Sequence, residues 1–72
     1  MNIDLSNAKA IMELKLAAYR ERLEHLNSHF EEEVSKDWKA TNQMRILFLW
    51  KEIGIYTFAV NELEDVLGEL ST

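Results

Sequence analysis

At 72 residues the chain holds at most one small domain, 47% apolar and 29% charged with a net charge of −5, too apolar for a disordered tail and too acidic for a general grip on nucleic acid. It contains no cysteine, so disulfides and thiolate metal cages are excluded, packing alone must hold the fold, and the expected setting is the reducing cytoplasm. The start Met1-Asn2-Ile3-Asp4 has neither the positive nor the apolar region of a signal peptide, so none is expected. The most apolar stretch, Met44 to Val60, is broken by Arg45, Lys51 and Glu52. Each costs roughly 2.5–3.5 kcal/mol at a bilayer centre, which argues against a membrane span.

The chain has no proline, and its glycines are Gly54 and Gly68, so long helices are permitted throughout. In the first half, Met12, Leu16, Tyr19, Leu23, Leu26 and Phe30 are separated by alternating steps of four and three, and Leu5 and Ala8 extend the series toward the N-terminus. That period predicts a helix over about 5–33 with one apolar seam, and Asp4, Ser6 or Asn7 could cap its start. From Glu33 to Asn42 the apolar period lapses while Ser35, Thr41 and Asn42 offer N-cap side chains, so a turn is expected there. A competing division starts a short third helix, around 29–40, at the capping box Ser28-His29-Phe30-Glu31, with Glu31, Glu32 and Glu33 in its first turn. In the second half Ile46, Leu49, Ile53, Tyr56, Val60, Leu63, Leu67 and Leu70 repeat the three-four spacing without a break, predicting a helix over about 42–70.

The two seams match when the chain folds about residue 38. Phe30 then faces Ile46, Leu26 faces Leu49, Leu23 faces Ile53, Tyr19 faces Tyr56, Leu16 faces Val60 and Leu5 faces Leu70, so every rung is apolar or aromatic. The expected fold is therefore all-α: an antiparallel two-helix hairpin forming a single domain over residues 1–72, favoured over one continuous rod by the equal lengths of the seams. Lys9 and Lys15 are expected near the acidic stretch Glu62, Glu64, Asp65 and Glu69, as exposed pairs of little energetic weight.

A hairpin uses one stripe per helix, and the second helix carries more. Phe48, Ile55, Ala59 and Val66 flank its seam, while Leu47, Trp50, Gly54 and Phe58 lie away from it; on the first helix Ile11, Leu14 and Ala18 add a second short stripe. A helix apolar nearly all round needs burial on more than one side. The expected cover is a second copy, giving a homodimeric four-helix bundle with the second helix central. Gly54, which costs about 0.8–1 kcal/mol mid-helix, reflects neutral drift, tight packing within the bundle, or a dimple, framed by Leu47, Trp50 and Phe58, that admits a partner's side chain or helix. Trp38 sits in the expected turn between Lys36 and Lys39; it either plugs the end of the bundle or offers a basic, aromatic tip to an anionic partner or a membrane surface.

Chemistry-bearing patterns are sparse. His25 and His29 stand four apart on one helix face with Glu21, a set that can hold zinc. On a polar helix flank such histidines are more often solvated, and no metal or cofactor is expected. Ser6, Ser28, Ser35 and Ser71 fall near helix ends or linkers and suit capping. The run Glu31 to Glu33 reads as a solvated face, and no glycine-rich loop exists to cradle phosphate. The expectation is a non-enzymatic interaction module, a hairpin regulator or adaptor that self-associates and binds a macromolecular partner through Leu47, Phe48, Trp50, Gly54, Ile55, Phe58 and Trp38. The alternatives are a structural subunit of a larger complex and a bundle carrying a metal or small ligand.

Overall fold

The alternating three-four seams build two helices of nearly equal length. In a computed structural model of the chain, which describes residues 5–37, 39 and 41–71, α1 spans Leu5–Val34 and α2 spans Gln43–Leu70. The two pack antiparallel, so the chain is a helical hairpin and not a rod. Asp4 and Trp38, singled out above as a cap and as a tip residue, lie outside the described residues.

Local hydrogen bonding explains where α1 stops. Ser35 N–H still donates to Glu31 O at 3.0 Å, and its hydroxyl donates to Glu32 O at 2.8 Å, satisfying carbonyls that the last turn would leave open. Past Ser35, Thr41 Oγ1 donates back to Asp37 O at 3.1 Å and ties the turn to itself. The short third helix around 29–40 does not form. Ser28 lies inside α1, because Phe30 and Val34 continue the helix beyond the capping-box sequence. α2 opens at Asn42, whose extended backbone (φ −89°, ψ 103°) and side-chain oxygen, accepting from Arg45 N–H at 3.1 Å, make it the N-cap. At the far end Ser71 N–H and hydroxyl both donate to Leu67 O, at 3.1 and 2.9 Å.

The core is the expected seam. Leu16, Leu26, Leu49 and Val60 are buried, with Met12, Tyr19, Leu23, Phe30, Ile46, Ile53, Tyr56, Leu63 and Leu67 half-buried around them. Tyr19 and Tyr56 meet edge to face, ring centroids 5.6 Å apart at 73°, an arrangement worth about 0.5–1.5 kcal/mol beyond burial. The end rung is looser: Leu5 and Leu70 line one shallow recess with Ser6 and Lys9 but both remain exposed. An ion pair across the helices joins Arg20 Nη2 to Glu64 Oε1 at 2.6 Å. It engages the acidic stretch from a different cation than the lysines expected, because the longer guanidinium reaches from the middle of α1.

The principal extents are 57 × 20 × 15 Å, and the radius of gyration is 16.5 Å, against about 11 Å for a compact globule of this length. A body one helix thick has a single interior seam. Everything off that seam faces outward unless something else covers it.

Candidate interaction surface

α2 meets α1 along Ile46, Leu49, Ile53, Tyr56 and Val60, so the 3.6-residue repeat turns Leu47, Trp50, Gly54 and Phe58 to the outside. The exposures agree: Leu49 is 3% exposed, whereas its neighbours Trp50 and Phe58 are 68% and 67% exposed. Phe48, Ile55 and Leu47 are likewise half or more exposed. Six of the seven surface residues expected from sequence thus lie on one outward stretch of α2, and the seventh, Trp38, lies outside the described residues.

At the centre of that stretch is an open groove of about 560 Å³ lined by Trp50, Lys51, Ile53, Gly54, Ile55 and Phe58. Gly54 forms its floor. A Cβ built at Gly54 would have nothing within 4 Å, so the glycine is not there to let α1 and α2 pack closely. Close packing at Gly54 therefore does not apply between α1 and α2, and the groove takes in Trp50 and Phe58 of the expected frame but not Leu47. Met44, 75% exposed, and Lys51 belong to the same surroundings but were not among the expected surface residues. Their signal was available: Met44 stands one turn before Leu47 and Phe48, and Lys51 one turn before Gly54 and Ile55. On α1, Leu14 and Ile11 are also exposed.

The accessible surface of the chain is 5778 Å². A compact monomer of its 8.5 kDa mass would expose about 4,650 Å². The excess, about 1,100 Å², is of the same order as the roughly 800 Å² that each partner contributes to a standard protein interface.

A second, polar site lies at the turn. Glu33, read from sequence as part of a solvated acidic run, is buried. Its Oε1 accepts from Asn42 N–H at 2.8 Å, its Oε2 accepts from Lys36 Nζ at 3.0 Å, and Arg45 Nε stands 3.7 Å away. The carboxylate thus caps the positive end of α2 from the other helix and pins the turn at the same time. The Asn42 amide, followed by the Lys36 ammonium, holds the Glu33 carboxyl below the ordinary glutamate range against the opposing effect of burial. The four-three spacing of the α1 seam, carried three residues past Phe30, falls on Glu33 and not on Glu31 or Glu32, and the return of the chain at Asn42 supplies its partner.

Of the candidate metal ligands, His25 Nε2 lies 3.9 Å from Glu21 Oε1, both well exposed. His29 lines a polar recess with Glu32, Glu33, Lys36, Asn42 and Arg45. Among the described residues no group of three or more His, Cys, Asp or Glu side chains comes together as a metal cage. Among the same residues no helix is long and apolar enough to cross a membrane.

No protein-family model, no curated protein and no solved structure matches the chain.

Proposed function

We propose that this chain is a non-enzymatic protein–protein interaction module of the cytoplasm, a helical-hairpin regulator or adaptor that self-associates and engages a macromolecular partner. The observation that carries the reading is the outward face of α2, where Leu47, Phe48, Trp50, Ile55 and Phe58 are each at least half exposed around the open groove at Gly54. Isolated apolar residues on a surface are ordinary, but a contiguous aromatic stretch on a chain this small is a contact site. Burying each of these side chains is worth roughly 1.5–3 kcal/mol, comparable with the few kcal/mol that a single small core supplies. The hairpin seam holds the fold, and the outer face of α2 does the binding.

The test pairs wild type with Phe58→Glu, following mass by light scattering and helicity by circular dichroism. The reading expects wild type to associate and the variant to fall to the mass of one chain while staying helical. Equal masses for the two proteins, each that of a single well-folded chain at high micromolar concentration, would refute self-association through this face.

A further inference from the structure

We infer that two copies pair through α2 in the antiparallel sense, about a two-fold axis at Gly54; this rests on the self-association proposed above and specifies its geometry. A two-fold interface must be complementary to itself. The groove at Gly54 meets that requirement, since Trp50 and Phe58 rise one turn to either side of an open floor. Turned about Gly54, a second α2 sets its own Phe58 level with Trp50 and its own Trp50 level with Phe58. The two glycines meet at the crossing, where the missing side chains allow the helix axes to approach toward the short end of the usual 8–10 Å.

Charge selects the direction. Between 43 and 53 α2 carries Lys51 exposed, Arg45 being engaged with Glu33 of its own chain, whereas between 61 and 70 Glu62, Asp65 and Glu69 are exposed, Glu64 being paired with Arg20. A parallel pair would lay the acidic ends side by side. The antiparallel pair sets each acidic end against the end of the other copy that carries Lys51 and separates the two acidic ends by most of the helix length. In the resulting four-helix assembly the α2 helices form the centre and the α1 helices the outside.

The absence of native cysteine makes the geometry directly testable. Gln43 and Asp65 are exposed, lie on the Gly54 face and stand eleven residues to either side of it. Chains bearing Gln43→Cys and Asp65→Cys are prepared separately, mixed and mildly oxidised, and the covalent dimers are identified by intact mass. The inference expects the mixed disulfide as the main product and little homodisulfide from Asp65→Cys alone. Predominant homodisulfides of each variant would mean parallel pairing and would overturn it, as would a dimeric mass with no disulfide at these positions. In both of those outcomes the self-association itself stands. A single-chain mass for the unmodified protein would overturn both proposals.

Discussion

Replacing Gly54 by alanine separates what the hairpin needs from what its outer face needs. Gly54 lies eleven residues inside α2, on its exposed side, and an added Cβ meets nothing within 4 Å, so the folded hairpin incurs no steric cost. Alanine in an exposed helix interior is worth about 0.8–1.0 kcal/mol over glycine. For a domain of this size that amounts to about 3–8 °C in Tm. Thermal melts followed by circular dichroism across a dilution series should therefore show Gly54→Ala more stable than wild type at the lowest concentrations. As association sets in, the gain should shrink, because the new methyl groups then stand where two α2 helices approach. A loss of stability at low concentration would refute the assignment of Gly54 to an open outer face. A gain that is constant at every concentration would refute close approach at that residue.

The seam and the turn give further expectations. Leu49→Ala removes a side chain only 3% exposed on the α1–α2 seam and should cost about 2–5 kcal/mol, enough to abolish the dilute hairpin in a urea titration; Leu14→Ala, at an exposed site on α1, should stay within about 0.5 kcal/mol. Equal effects for the two would mean the seam is misassigned. Glu33→Gln should flatten the acid side of the stability profile. Because the folded-state pKa of Glu33 is lowered, its contribution is present above the ordinary glutamate range and is lost as pH falls through the lowered folded value. Wild type should therefore lose stability over that interval and Glu33→Gln should lose less; identical profiles from neutral to strongly acidic pH would contradict the role of Glu33 at the turn.

Much of the fold is legible in the residue spacing, because the three-four alternation of Met12 to Phe30 and of Ile46 to Leu70 follows from helical geometry and needs no knowledge of the partner helix. The facing of Tyr19 and Tyr56 follows from the same spacing once the turn is placed. The turn could be placed because Asn42 is a strong N-cap ahead of a continuous apolar period. Glu33 stands at the next seam position, three residues past Phe30, but its burial as a carboxylate depends on a backbone N–H nine residues later that only the folded turn presents to it. The capping box at Ser28 failed for another reason: the apolar period of α1 runs on through the half-buried Phe30 and outweighs a local signal to start a new helix. The outer face of α2 was visible as surplus apolar residues, with Met44 one turn before Leu47 and Phe48, yet the groove at Gly54 required the helix to be oriented against α1.

The central claim is that the seam of α2 is filled within one chain while its opposite face is filled between chains. Sedimentation equilibrium from low to high micromolar concentration tests it most directly. The account predicts an average mass that rises toward twice the 8.5 kDa of the chain and a melting temperature that rises with it. A mass that stays at one chain throughout, with a sharp melt independent of concentration, would contradict it.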